Sequence, residues 1–195
     1  MTIIFSFTVQ QVTANEHMHH VHKAHVHGNA QLTMVIENND LFLNLSAPAY
    51  SFVGFEHKAQ TQEQVNSINR LNMILAEVSN LLTLPAASCK LKEKKIDITA
   101  LMSNDIENKH STHAEHAEHA EHAEHAEHAE HAEHAEHAEI FAEYILHCNE
   151  IANLSTATIT LFEHFPALTS LEALWIGLNK QGADILTPEK NILTW

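Results

Sequence analysis

The stretch Ala30-Gln31-Leu32-Thr33-Met34-Val35-Ile36-Glu37-Asn38-Asn39-Asp40-Leu41-Phe42-Leu43-Asn44-Leu45 decides the fold class. Ala30, Leu32, Met34 and Ile36 alternate with Gln31, Thr33 and Val35, and Leu41, Leu43 and Leu45 alternate with Phe42 and Asn44. A period of two sends successive side chains to opposite faces, so each run is a strand with one face for a core. Asn38-Asn39-Asp40 between them supplies a short turn, and the whole reads as an antiparallel β-hairpin.

Downstream the period changes. Val65, Ile68, Leu71, Leu75, Val78 and Leu82 fall three or four apart, predicting one helix over 62–82. Thr61 and Gln64 have the spacing of a capping box, and Pro85 lies just past the helix. Lys90–Thr99 reads as another strand, so the first half is β-β-α-β. The second half repeats the order. Ile140–Leu146 and Thr156–Phe162 read as strands around a turn at 149–153, and Pro166–Leu171 as a short helix with proline in its first turn. Ala173–Leu178 is a third strand, with Gln181-Gly182 turning the chain into a last segment, Ala183–Trp195.

Phe55-Glu56-His57 recurs as Phe162-Glu163-His164, each time directly after a second strand, and His27 and His137 precede the two first strands at one spacing. The expectation is an α+β fold of two pseudosymmetric β-β-α-β halves, 30–102 and 140–195. Between them lies a flexible histidine-rich insert, 103–139. Residues 113–139 of that insert read His-Ala-Glu nine times. A three-residue repeat fits neither a strand nor one helix face, since helical histidines would step by about −60° and leave no apolar stripe. A solvated segment, ordered partly by metal, is expected.

Nineteen of the 195 residues are histidine. Six form a segment before the hairpin: His17, His19, His20, His22, His25 and His27. Ten lie in the insert: His110, His113, His116, His119, His122, His125, His128, His131, His134 and His137. Only His57, His147 and His164 stand elsewhere. Imidazole is a ligand for borderline transition ions, and the tract adds a carboxylate to each triplet. Numerous exchangeable ligands of this kind predict a high-capacity reservoir. His25 and His27 alternate on one side of an extended segment and suit joint chelation, while His57 and His164 end equivalent strands and are expected to converge. His147 is read as structural, or as a ligand with Cys148 if the thiols stay reduced.

The net charge is −15 with neutral histidines and would be +4 with all 19 protonated. An acidic chain whose one arginine is Arg70 is a poor nucleic-acid binder. No run approaches the roughly 20 apolar residues of a spanning helix. No HEXXH motif or nucleophile elbow occurs, and the chain is read as a non-enzyme. Residues 1–14 look like a signal peptide without its basic start, with Val12-Thr13-Ala14 as the cleavage site and 15–29 as a histidine-rich mature N-terminus. Cys89 and Cys148 form no CxxC pair; in an exported chain the expectation is one disulfide, rather than two unrelated buried thiols.

Several short motifs occur together. They are His25-Val26-His27-Gly28-Asn29-Ala30-Gln31-Leu32, Ala47-Pro48, Phe52-Val53-Gly54-Phe55-Glu56-His57, and Leu84-Pro85-Ala86-Ala87 before Cys89. Beyond the histidine tract come Glu143-Tyr144 before Cys148, Leu161-Phe162-Glu163-His164-Phe165-Pro166, and Gln181-Gly182-Ala183 before Leu186-Thr187-Pro188. In this order they resemble the ZrgA-type family of periplasmic, zinc-regulated, zinc-binding proteins over about residues 17–195. The resemblance implies a periplasmic protein that captures and buffers several Zn2+ ions for uptake through an inner-membrane ABC-type transporter. The tract departs from the His/Asp/Glu mixtures common in that family, so only its capacity carries over. The alternative is a storage, sequestration or sensor protein guarding against excess zinc, copper, nickel or cobalt.

Overall fold

The computed structural model describes residues 26–102 and 137–194. The leader-like residues 1–14, His17 to His25, and the tract histidines His110 to His134 lie outside the described residues.

The hairpin is present: β1 (Asn29–Glu37) pairs antiparallel with β2 (Asp40–Pro48), Glu37 opposite Asp40. Asn38 makes the turn at φ 54°, a left-handed conformation that asparagine tolerates better than most residues. Next come α1 (Tyr50–Val53), α2 (Gln62–Leu75), β3 (Leu82–Thr83) and β4 (Cys89–Asp97). After the insert follow β5 (Glu139–Cys148), β6 (Thr156–Ile159), α3 (Leu161–His164), β7 (Ser170–Ile176), β8 (Gln181–Leu186) and β9 (Ile192–Thr194).

The fold is α+β and mostly strand. Six strands form one sheet in the order β4-β5-β2-β1-β7-β8, and β3-β6-β9 form a smaller one. The β1–β7 pair is parallel and every other pair antiparallel. Strands from before and after the insert mix in the large sheet, β5 lying between β4 and β2, so neither half has a sheet of its own. One face of that sheet is buried. Leu32, Met34, Leu43, Leu45, Ile140, Tyr144 and Leu171 join Ile68, Leu71 and Leu75 of α2 and Ala157, Ile159 and Leu193 of the small sheet in one cluster. Tyr144 ties the layers together, its hydroxyl donating to the Leu75 carbonyl at 2.8 Å. That carbonyl sits in the last turn of α2, where backbone acceptors lack partners within the helix.

Four expectations need correction. The helix begins as the sequence indicates, the Gln64 amide donating to Thr61 Oγ1 at 3.2 Å, but it ends at Leu75. Val78 falls in a 3₁₀ turn and Leu82 in β3, although their spacing continues the helical period. The strand expected over Thr156–Phe162 stops at Ile159, and the short helix is α3, Leu161–His164, rather than Pro166–Leu171. Proline 166 disfavours helical backbone at the residue before it, so it closes this turn instead of opening one. Gln181-Gly182 begins β8; the turn lies earlier, where the Gly177 amide donates to the Lys180 carbonyl. Gly182 is glycine because Trp175 lies across it: a Cβ there would stand 2.7 Å from the indole ring.

The cysteines form a disulfide, and Cys89 and Cys148 face each other across the β4–β5 ladder. Beside it, His147 Nδ1 donates to Asp40 Oδ1 at 2.8 Å, and Lys92 Nζ donates to Asp40 Oδ2 at 2.8 Å. These two hydrogen bonds hold the Asp40 carboxyl below its ordinary range. His147 is therefore a structural partner of the hairpin turn. With both sulfurs bonded to each other, no thiolate is left to form a ligand pair with it.

Candidate metal centre

The C-terminal end of the insert and the end of the N-terminal histidine segment meet at α1. This four-residue turn runs from Tyr50 to Val53 and stops at Gly54, whose φ of 82° is left-handed and whose amide donates to the Tyr50 carbonyl at 3.0 Å. Its second residue, Ser51, is fully buried. The Ser51 hydroxyl accepts from the Gly28 amide and donates to the Asn29 carbonyl, both at 3.1 Å. Across the chain, the Gly28 carbonyl accepts from the amides of Thr169 (2.7 Å) and Ser170 (3.1 Å). Gly28 is thus clamped between α1 and the start of β7, and it fixes where His27 leaves the sheet.

The other side is pinned by the same short turn. The Ala49 amide donates to the Ala138 carbonyl at 2.9 Å, and the Ala138 amide donates to the Glu56 carbonyl at 3.2 Å. His137 is therefore fixed beside Glu56. The Glu56 side chain is only 10% exposed.

The result is a carboxylate between two imidazoles. His27 Nε2 stands 3.2 Å from Glu56 Oε1, and His137 Nδ1 lies 2.5 Å from Glu56 Oε2. An ionised carboxylate can only accept, so Nδ1 carries the hydrogen in the His137 contact. The His27 contact lacks hydrogen-bond alignment, which leaves Oε1 buried without a hydrogen-bond partner. Burial of a carboxylate oxygen in this state is costly unless a cation compensates it. The rings themselves are open, 51% exposed at His27 and 57% at His137. The His27 ring stacks on Tyr50 with centroids 4.2 Å apart and planes 18° from parallel.

Of the histidines singled out from the sequence, His27 and His137 come together, and they do so through a residue the sequence reading passed over. His57 points elsewhere: its Nδ1 donates to the Lys58 carbonyl at 2.9 Å and its ring leans on Phe55. His164 closes α3 and contacts Phe165 edge-on. Neither reaches the other, so the expected convergence of His57 and His164 is not what these contacts form. Among the described residues, no three His, Cys, Asp or Glu side chains already surround an ion-sized gap. In the Glu56 trio the rings rest on the carboxylate itself.

The model of the ZrgA family zinc uptake proteins matches residues 24–195. The chain belongs to that family. The match covers the described fold and both segment roots, and it gives the histidine-rich chemistry a zinc-related role. No curated protein matches the chain. Among the described residues no helix is long and apolar enough to cross a membrane.

Proposed function

We propose that this ZrgA family protein works in the periplasm, capturing and buffering zinc and passing it to an inner-membrane ABC-type transporter. The observation that carries the reading is the meeting of His27 and His137 on the buried Glu56 carboxylate, at the roots of both histidine-rich segments. Membership of a zinc uptake family supports zinc as the cargo of that donor set. The Cys89–Cys148 disulfide supports an oxidising compartment, since such bonds are rare in the cytosol. The tract supplies many imidazole–carboxylate pairs of modest affinity, which suits buffering; ordered side chains at its root suit tighter holding. Delivery also needs release, and half-exposed imidazoles permit it.

The test is zinc accumulation by cells grown with a chelator. Cells lacking the protein should take up zinc more slowly, and the restored gene should return the rate to normal. Unchanged uptake together with lost tolerance of added zinc would overturn import in favour of sequestration.

A further inference from the structure

We propose that His27 Nε2, His137 Nδ1 and the Glu56 carboxylate are three ligands of one zinc ion, with a fourth position open to solvent. The proposal rests on zinc being the cargo. It adds a defined site, distinct from the many ligands of the tract, that joins the roots of the two histidine-rich segments.

Three features support it. The first is the unpartnered Glu56 oxygen, buried beside His27. Among the described residues the ion-pair partners of Glu56 are these two imidazoles. When the imidazoles are neutral, the buried negative charge is uncompensated, and a divalent ion supplies what is missing.

The second is spacing. Zinc bonds nitrogen and carboxylate oxygen at about 2.0–2.2 Å in tetrahedral geometry, which sets its ligand atoms about 3.3 Å apart. His27 Nε2 and Glu56 Oε1 are already 3.2 Å apart. His137 Nδ1 must give up its hydrogen bond to Glu56 Oε2 to bind the ion, and its side chain is 57% exposed.

The third is preorganisation. Gly28, Ser51, Ala49 and Ala138 hold both histidine backbones through hydrogen bonds, and Tyr50 stacks on the His27 ring. Ligands fixed in this way bind with less ordering cost than a tract that must wrap its ion. Two nitrogens and one carboxylate make a borderline set, and an open position permits exchange with incoming or outgoing ligands.

The experiment is competition of the intact, disulfide-bonded chain against a chromophoric zinc chelator, scored on the first ion bound. In Glu56→Gln, which keeps the side chain's size, the Kd of that ion should rise at least about tenfold, since even supporting residues around a metal contribute that much. The double variant His27→Ala/His137→Ala should do the same, and its rings are exposed enough that folding tolerates their loss. Glu163→Gln, at the matching position of the second Phe-Glu-His triplet, should leave the Kd unchanged. Replacing the histidines from His110 to His134 by glutamine should lower stoichiometry and spare the first ion. One equivalent of zinc should also raise the melting temperature of the parent chain and not that of Glu56→Gln. A first-ion Kd within twofold of the parent in Glu56→Gln and in the double histidine variant would overturn the site. Uptake by cells could still depend on the protein in that case, so the two readings fail separately.

Discussion

Gly28 and Gly54 have nearly the same backbone, φ 83° and 82°, but different surroundings. A Cβ on Gly54 would meet nothing within 4 Å. On Gly28 it would stand 2.9 Å from Thr169 Oγ1 and 3.1 Å from the Ala167 carbonyl oxygen. Gly54→Ala should therefore cost only the left-handed penalty of about 1–2 kcal/mol, reduced by the stiffer unfolded chain to roughly 1 kcal/mol. Gly28→Ala carries that cost as well as about 1–3 kcal/mol of overpacking, because a backbone carbonyl does not swing aside as a side-chain tip does. The expected total is about 2–4 kcal/mol. Urea unfolding of the two variants beside the parent, with m-values compared, measures the difference directly. If the two agree within about 0.5 kcal/mol, the clamp on Gly28 contributes nothing and the account of what holds His27 is wrong.

Burial pushes the Tyr144 phenol well above its ordinary range, and its hydroxyl serves the end of α2. A raised folded value means that this contribution is complete below pH about 10 and is lost as pH climbs further, so alkaline unfolding should set in above that point. Tyr144→Phe should cost about 1–2 kcal/mol at neutral pH and blunt that alkaline onset; a variant as stable as the parent would refute the cap. The disulfide joins residues 59 apart in sequence, worth about 4 kcal/mol by chain entropy. The double variant Cys89→Ala/Cys148→Ala should show most of that loss in chemical unfolding, and a change under about 1 kcal/mol would show that the paired strands alone set this stability.

The hairpin was legible because it has one buried face, and strict alternation leaves no other assignment. The start of α2 was legible for the same kind of reason, since Thr61 and Gln64 announce a cap through their own hydrogen bonds. Its end was not: Val78 and Leu82 are apolar at helical spacing, but they serve a 3₁₀ turn and the small sheet. Likewise the apolar run through Leu161-Phe162 hides the junction between β6 and α3. At the candidate centre, two of the three side chains could be found from the sequence. His27 and His137 stood out by number and by equivalent placement. Glu56 did not, because nothing in its local sequence marks its side chain as buried, although a carboxylate repeated in Phe-Glu-His was the available signal. Its counterpart Glu163 is exposed, so the two triplets share a pattern and not an environment. The backbone hydrogen bond that seats Ala138 against Glu56 separates them, and such a long-range contact leaves no local trace.

The disulfide also turns the middle of the polypeptide into a covalent ring. Every residue from 90 to 147, the whole histidine tract among them, lies between the two bonded cysteines. A single peptide-bond cleavage anywhere in that span opens the ring without releasing a fragment, because Cys89 still holds Cys148. The cut protein would run as one species on a non-reducing gel and as two after reduction. A protease acting on the tract therefore cannot by itself detach residues 148–194 from their partners in the sheet.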